Sequence, residues 1–296
     1  ILTIMTENFK QIFTHLRLPF SFFLLPVFVF SCSAVYPFTY SPIPLFFILH
    51  LLLYPASNGY NSYMDQDTES IGGIEHPAPV PKQMFWVSIL LDGSGLIFAG
   101  LYYSWTLSAL LLLYILASRA YSYRGIRLKK YAIIGYLTVV IFQGGFIFFL
   151  TQFALTGSFI FTPQLIIGVI ISALLIGASY PLTQVYQHKQ DQDDDVQTIS
   201  MLLGIKGTFV FAGIMFLLFN LSCLYYFVMF SDKWWLFALL LAVSAPSGYF
   251  LTQWAQKVWK DPTLANYKNS MMMSKIGSVS MNLFFLLLLC ITVYSF

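Results

Sequence analysis

The sequence predicts an all-α protein that crosses a membrane many times. The mean hydropathy is +0.74, and only 9% of the residues are charged, whereas soluble domains carry about 25% charged residues. Apolar segments recur along the chain, and they reach roughly 17–25 residues, the length that an α-helix needs to cross the hydrocarbon core of a bilayer. These features favour a polytopic membrane protein over a soluble one.

Nine predicted spans follow one another along the chain. They cover residues 17–36, 42–60, 84–103, 104–122, 132–154, 163–186, 207–230, 234–254 and 276–295. Two prolines, Pro42 and Pro44, mark the division between the first and second spans. The third and fourth spans are divided only by the short segment 102–105.

The positive charges predict the orientation of these spans. With the N-terminus in the cytoplasm, every basic residue except Lys233 falls in the N-terminal arm or in a cytoplasmic loop. Lys and Arg accumulate in cytoplasmic loops, so we expect a cytoplasmic N-terminus and an external C-terminus. The same bias explains the formal net charge of +3. Because no basic patch with interleaved aromatic residues is present, a nucleic-acid partner is not expected.

Arg17 opens the first predicted span. Its side chain either reaches the lipid headgroups, as long basic side chains at span ends do, or contacts an anionic substrate. The third span contains Asp92 near its middle. A carboxylate at that depth is costly and is by default a functional hypothesis. Asp92 either lines a substrate cavity or makes a structural hydrogen bond.

The segment after the second span carries oxygen-bearing side chains at helical spacing. Asn61, Asp65 and Glu69 are spaced i, i+4 and i+8, and Asn58 lies one turn earlier. If the segment is helical, these residues share one face. Carboxylate and amide oxygens are the ligands of hard cations such as Mg²⁺. The spacing therefore predicts a metal-binding surface at the cytoplasmic end of the second span.

The loop after the fourth span is the most basic part of the chain. Five cationic side chains and three tyrosines lie within it, at Arg119, Tyr121, Tyr123, Arg124, Arg127, Lys129, Lys130 and Tyr131. Arg offers bidentate contacts to phosphate, and Lys offers a point charge. The loop therefore predicts phosphate binding, and anchoring at the membrane surface is the alternative.

A second acidic segment follows the sixth span. Asp191 and Asp195 are again four residues apart, and Gln187 lies one turn before them. His188 could also bind a metal, but the carboxylates beside it favour a hard oxygen site. Mg²⁺ usually binds through a few carboxylates plus substrate phosphates, so the two acidic segments together predict a diphosphate site. A solvated run of charge is the alternative interpretation of this segment.

These motifs resemble those of the UbiA superfamily of intramembrane prenyltransferases. That family has an Asn/Asp-rich motif after its second helix, an Asp-rich motif after its sixth and a basic loop between them. The resemblance implies a single transmembrane domain over residues 1–296, with nine helices around a central cavity. Two departures are visible: Gly59 follows Asn58 where the family commonly has aspartate, and Glu69 closes the first motif in place of aspartate.

The resemblance also implies a role for each motif residue. The implied catalytic residues are Asp65, Asp191, Asp195 and Lys129. The implied metal ligands are Asn61, Asp65, Glu69, Asp191 and Asp195. The implied diphosphate-binding residues are Asn58, Asn61, Tyr123, Arg127, Lys129 and Lys206. The implied cofactor is Mg²⁺, and the implied partners are a polyprenyl diphosphate, a small-molecule acceptor and the lipid bilayer.

The implied reaction begins with ionisation of an allylic diphosphate, followed by transfer of the prenyl group to an acceptor that is often aromatic. Two alternatives remain open. Some members of the superfamily are terpene cyclases, in which the prenyl cation reacts with its own double bonds. A transporter or a non-catalytic lipid-binding protein is a different class of membrane protein that also contains intramembrane acids. The expected location is a prokaryotic cytoplasmic membrane, with the active site facing the cytoplasm.

Overall fold

The protein is a bundle of long helices in a computed structural model that describes residues 2–159 and 161–295. Within these residues there is no β-strand, and the single isolated bridge pairs Ile71 with Ile74 in a loop. The all-α class predicted from the sequence is therefore confirmed.

The helices are numbered in chain order. They are α1 Leu2–Leu16, α2 Leu25–Ala34, α3 Pro42–Asp65, α4 Met84–Tyr102, α5 Trp105–Ser122, α6 Ala132–Thr156, α7 Pro163–Ser179, α8 His188–Asp193, α9 Ile199–Phe230, α10 Trp235–Lys260 and α11 Tyr267–Tyr294. Short 3₁₀ turns lie at Leu18–Phe23, Leu128–Lys130, Tyr180–Thr183 and Pro262–Leu264. Two π-helical turns interrupt α3 and α6, at Ile48–Leu53 and Val140–Phe146.

The number of spans agrees with the sequence prediction. Among the described residues, 8 helices are long and apolar enough to cross a membrane, namely α3 to α7 and α9 to α11. The segments Glu7–Phe23 and Leu25–Ala34 pass the same test together and are bent by 43°. When this bent pair is one span, the total is 9. Arg17 lies before the bend in a left-handed backbone conformation, with φ 48°.

Polar residues fix where several helices begin. Ser104, Thr198 and Asn266 precede α5, α9 and α11, and the side chain of each accepts a backbone N–H from the first turn of its helix. Such caps satisfy N–H groups that have no partner within the helix. As a result, α4 and α5 divide where the sequence predicted. The predicted starts at residues 207 and 276 were too late, because α9 and α11 continue beyond the apolar runs.

The centre of the bundle is built from aromatic side chains. Phe30 of α2 is 1% exposed, and its ring centroid lies 4.9 Å from that of Phe148 on α6 and 4.8 Å from that of Phe285 on α11. The Ser31 hydroxyl donates to the Phe148 carbonyl at 2.9 Å. The first span is therefore surrounded by later helices.

Small residues allow two helices to approach closely. A Cβ atom on Gly144 of α6 would lie 2.7 Å from the carbonyl oxygen of Ser172 and 2.8 Å from Cα of Ala173, both on α7. Small residues at helix contacts in membranes permit this backbone approach, and close packing provides much of the association energy there. Large apolar side chains such as Leu101, Leu217 and Val279 are exposed on the periphery, where lipid would surround them.

Candidate functional site

A cavity of about 270 Å³ lies inside the bundle, between the ends of α3, α5, α7, α8 and α11. One part of its wall is apolar and includes Leu175, Ile176, Phe216 and Met281. The other part carries the charged and amide side chains Arg17, Asn58, Asn61, Asp65, Asp67, Lys129, Gln187, Gln190 and Asp191. The cavity is thus amphipathic, with a charged end and an apolar end. It confirms the central cavity that the family resemblance implies.

The first acidic motif reaches the cavity from α3. Asn58, Asn61 and Asp65 lie on the face that lines the cavity. The helix ends at Asp65, because Gln66 adopts a left-handed conformation with φ 55° and ψ 40°. The expectation that Glu69 continues the same helical face is therefore wrong. The Glu69 side chain is 52% exposed and lies 3.7 Å from Nζ of Lys189, outside the cavity wall.

Asp65 is held by two cations and an amide. Its Oδ2 atom lies 2.5 Å from Nζ of Lys129, and Oδ1 lies 3.6 Å from Nη2 of Arg127. Asn61, one turn earlier, donates its Nδ2 hydrogens to Oδ2 of Asp65 at 2.8 Å and to Oγ of Ser122 at 3.0 Å. The Asp65 side chain is only 2% exposed. Burial strengthens such charge pairing, because little water screens it.

The second acidic motif splits between the cavity and the surface. The helix α8 places Asp191 in the cavity wall, and its buried Oδ2 atom has no hydrogen-bond partner in the described part of the chain. Burial raises the pKa of Asp191 to about 7; Lys129 lowers it, and the charges of Asp67 and Asp65 raise it further. Asp195 lies beyond the helix end with an 87% exposed side chain, and it pairs with Lys130.

The cavity also contains a carboxylate that the sequence analysis did not select. Asp67 lies in the cavity wall, and its Oδ1 atom accepts a hydrogen bond from Nε2 of Gln190 on α8. Burial raises the pKa of Asp67 to about 6, the charge of Asp65 raises it further, and Lys129 and Arg17 oppose this shift. Spacing could not identify Asp67, because it lies two positions after Asp65 and helical periodicity would direct it to another face.

The basic loop, like the second acidic motif, places some of its side chains in the cavity wall and others outside it. Lys129 lines the cavity. Arg127 is buried beside it, and it binds Asp194 as well as Asp65. Tyr123 is 48% exposed, and Lys206 is exposed on α9. Neither Tyr123 nor Lys206 forms part of the cavity wall.

Arg17 brings a further cation into the cavity wall. Its Nη2 atom donates to the Asn58 carbonyl at 3.0 Å, and its Nη1 atom donates to the Gly72 carbonyl at 3.3 Å. The side chain is buried, and it forms no ion pair with a carboxylate of the described residues. Arg17 therefore joins the first span to the first acidic motif and leaves positive charge available at the cavity.

Asp92 occupies a different position. It lies outside the cavity wall and pairs with Arg119 of α5. The guanidinium carbon of Arg119 also lies 3.9 Å from the centre of the Tyr60 ring, and Nη1 donates to the Ala56 carbonyl at 3.5 Å. The pair thus joins α3, α4 and α5, which agrees with the structural alternative for Asp92.

The segment between α3 and α4 lies against the charged end of the cavity. Ile71 is 3% exposed and contributes to the wall. Nε2 of Gln187 donates to the Ser70 carbonyl at 3.3 Å, and Nε2 of His15 donates to the Ala78 carbonyl at 2.8 Å. These bonds connect the segment to α8 and to α1.

The donor atoms at the charged end suit Mg²⁺. Residues 2–159 and 161–295 contain no group of three or more His, Cys, Asp or Glu side chains that could hold a metal by themselves. Mg²⁺ needs no such cage, because it usually binds through one or two carboxylates, with water and substrate phosphates completing the shell. Oδ1 of Asp65 and Oδ2 of Asp191 accept no hydrogen bond from the described residues, and they are carboxylate ligands of the required kind. The residues therefore fit Mg²⁺ in the presence of a phosphate ligand.

Comparisons with known proteins agree with this fold. The sequence model of the UbiA prenyltransferase family matches residues 22–276. A solved structure from work on digeranylgeranylglyceryl phosphate synthase is 17% identical, with a TM-score of 0.59 over 97% of this chain and 99% of that one. A UbiA homologue from Archaeoglobus fulgidus bound to GPP and Mg²⁺ is 13% identical, with a TM-score of 0.63 over 95% of this chain and 99% of that one. At these identities the similarity establishes the fold. No curated protein matches the sequence significantly.

Proposed function

Because this chain belongs to the UbiA prenyltransferase family, we propose that it is a Mg²⁺-dependent enzyme that ionises an allylic polyprenyl diphosphate and transfers the prenyl group to a small acceptor. The observation that carries the proposal is the amphipathic cavity. Its charged end combines carboxylates with Lys129 and Arg17, and its other end is apolar. A prenyl diphosphate has the same division between a charged head and an apolar tail.

The cations of the cavity bind the diphosphate in this proposal. Lys129 and Arg17 are both buried enough to lose most water screening, with Arg17 9% exposed and the Lys129 side chain 12% exposed. Hydrogen bonds to charged groups contribute about 1.5–3 kcal/mol each. Arg127 positions the site by holding Asp65 and Asp194 together. Asn58 and Asn61 supply neutral amides beside the cations.

Negative charge builds on the leaving diphosphate as the carbon–oxygen bond breaks, so preorganised cations lower the barrier. When bound, Mg²⁺ would supply further charge neutralisation of the diphosphate at Asp65 and Asp191. The buried Asp65 carboxylate keeps Lys129 oriented towards the cavity through the 2.5 Å contact. This contact fixes the ammonium group before substrate arrives, so little reorganisation is required during the reaction.

The apolar part of the cavity holds the prenyl tail in this proposal. Phe142, Tyr121 and Tyr180 contribute aromatic rings to the wall. Aromatic faces stabilise a nearby cation by about 0.5–2 kcal/mol. The rings would therefore stabilise the allylic carbocation without reacting with it, and the surrounding apolar side chains would exclude water that could capture it.

Polar groups in the wall support transfer to an acceptor over cyclisation. Gln184 is 6% exposed, and its Oε1 atom has no hydrogen-bond partner in the described residues. Ser179 and Thr183 lie in the same wall, and their hydroxyls already donate to the carbonyls of Leu175 and Tyr180. A chamber that only folds a hydrocarbon chain needs no such amide oxygen, whereas a hydroxylated acceptor would donate a hydrogen bond to it. Cyclisation remains the second outcome that the test must distinguish.

The decisive experiment incubates the detergent-purified protein with farnesyl or geranylgeranyl diphosphate and Mg²⁺, with and without a panel of aromatic acceptors. We expect diphosphate release that depends on Mg²⁺ and on an acceptor, together with a prenylated product in the mass spectrum. EDTA should abolish the release. A cyclic hydrocarbon or alcohol formed without an acceptor would make the protein a terpene cyclase. Unconsumed diphosphate under every condition would contradict both activities and favour a non-catalytic role.

A further inference from the structure

The backbone turn after α3 decides which carboxylate enters the cavity. The Gln66 N–H bonds to the Ser62 carbonyl at 3.0 Å, and the left-handed conformation of Gln66 then ends the helix. After this turn Asp67 lines the cavity, whereas Glu69 lies in a separate surface crevice with Lys189. The chain therefore presents a different acidic residue from the one that the motif spacing indicates.

Asp67 connects the two acidic motifs directly. Its hydrogen bond from Gln190 reaches across to α8, where Asp191 is the next residue. The Gln190 amide can hold one Asp67 oxygen in position and leave the other free. The two cavity carboxylates Asp67 and Asp191 thus lie on opposite chain segments that a single hydrogen bond joins.

Ion pairing distinguishes these two carboxylates from Asp65, the other carboxylate of the cavity wall. In the described part of the chain, Asp65 pairs with Lys129 and Arg127, Asp194 with Arg127 and Arg124, Asp195 with Lys130, and Glu69 with Lys189. Asp67 and Asp191 line the cavity and form no ion pair with any described residue.

Two unpaired carboxylates near each other in a poorly solvated cavity repel, and a shared cation removes the repulsion. Independent evidence for a ligand comes from Oδ2 of Asp191, a buried oxygen that forms neither a hydrogen bond nor an ion pair with the described chain. Such an unsatisfied buried oxygen is costly unless a ligand binds it. Lys129 and Arg17 then remain available for the anionic part of the substrate.

We infer that Asp67 shares a divalent cation with Asp191 and takes the metal-binding role that motif spacing gives to Glu69. The inference rests on the proposed function, because the phosphate oxygens of a prenyl diphosphate complete the coordination of the cation. Gln190 is a positioning residue that holds Asp67 towards Asp191.

The test compares Asp67→Asn with Glu69→Gln. Each substitution removes one charge and keeps the side-chain size, and the amide oxygen of the introduced asparagine can still accept the hydrogen bond from Gln190. Full-length protein in detergent is titrated with Mn²⁺, followed by electron paramagnetic resonance, in the presence of the unreactive analogue farnesyl thiolodiphosphate. We expect D67N to weaken Mn²⁺ binding by about tenfold or more, the scale of losses around metal sites. E69Q should change it less than about twofold.

A second pair of variants covers the case in which D67N does not fold. Asp67→Cys introduces a thiolate, which prefers soft metals, so Cd²⁺ should replace Mn²⁺ at the site in this variant. Glu69→Cys should keep the wild-type preference for Mn²⁺. Normal Mn²⁺ affinity in D67N, or a loss confined to the Glu69 variants, would overturn the inference and leave the proposed function intact. Failure of the wild-type protein to bind Mn²⁺ with the analogue would overturn both.

Discussion

Lys129 lies in the cavity wall and pairs with Asp65 at 2.5 Å, so its ammonium group is held at the charged end of the cavity, where the diphosphate binds in the proposed function. We predict that Lys129→Gln raises the KM for the prenyl diphosphate by roughly 10- to 100-fold, since a charge-assisted hydrogen bond contributes about 1.5–3 kcal/mol. Steady-state kinetics of diphosphate release measure this change. Lys130→Gln is the matched control, because Lys130 pairs with the exposed Asp195 outside the cavity. Equal effects of the two substitutions would exclude a specific role for Lys129.

The two aspartates of the second motif should differ in importance. Asp191→Asn removes a cavity carboxylate, and we expect it to lower Mg²⁺-dependent turnover by about 100-fold or more, the scale of losing a preorganised electrostatic group. Asp195→Asn should retain most activity, because its side chain is 87% exposed and pairs with Lys130. Asp193→Asn, on the same exposed surface, controls for net charge. A loss of turnover in D195N as large as that in D191N would show that the two aspartates are equally important, as their spacing indicates.

The sequence predicted part of this site and could not predict the rest. Asn58, Asn61, Asp65, Lys129 and Asp191 do meet around one cavity, as the motif positions indicated. The assignments of Glu69, Tyr123, Arg127, Asp195 and Lys206 to metal or diphosphate stay predictions, and the structure places all five outside the cavity wall. Their positions depend on where helices end and on ion pairs between distant segments, and helical periodicity reports neither.

At the scale of elements, the ion pair between Asp92 and Arg119 joins α3, α4 and α5. Both side chains are buried, at 9% and 14% exposure. We predict that Asp92→Leu destabilises the protein by about 3–5 kcal/mol, because it leaves Arg119 charged and unpaired. The double variant Asp92→Leu/Arg119→Leu should be more stable than the single one. Thermal unfolding in detergent measures both, and a double variant with the summed loss of the two single variants would contradict a coupled pair.

The contact between α6 and α7 gives a second prediction at this scale. Gly144→Ala would place a Cβ atom 2.7 Å from the Ser172 carbonyl oxygen, so the helices must separate. We expect a loss of about 1–3 kcal/mol, typical of overpacking. Gly213→Ala on α9 is the control, because a Cβ there meets nothing within 4 Å of it. That change should be neutral or raise the unfolding temperature slightly, since Ala favours a helix over Gly by about 0.5–1 kcal/mol. Equal losses would show that close packing is unimportant.

Spans were easier to predict than their ends. Side chains that lie in lipid must be apolar, so the composition of the sequence indicates the spans directly. All nine predicted runs lie in helices that can form spans. Helix ends depend on local polar bonds. Thr198 and Asn266 start α9 and α11 before the apolar sequence begins, and Gln66 ends α3 at Asp65 through a backbone conformation that its residue type does not require.

For the whole molecule, we propose a single transmembrane domain whose charged cavity end faces the cytoplasm. The distribution of basic residues supports this orientation. In a cysteine-free background, Glu75→Cys and Ser158→Cys place thiols at exposed positions on loops at opposite ends of the bundle. We expect a membrane-impermeant maleimide to label position 158 in intact bacterial cells and position 75 only after permeabilisation. The reverse pattern would invert the orientation.

A ribosome synthesises the helices in chain order, and this order has a consequence for α2, which lies at the centre of the bundle. Phe30 of α2 stacks on Phe285 of α11, with 4.8 Å between the ring centroids, so α2 is synthesised long before this neighbour. The first span must therefore remain in the bilayer without this neighbour until α11 has been synthesised. The charged cluster also waits, because Arg127 and Asp194 are 67 residues apart. Nascent chains stopped before α8 would contain Asp65 and Lys129 but not Asp191, so the cavity wall is complete only after α8 and the helices that follow it have been synthesised.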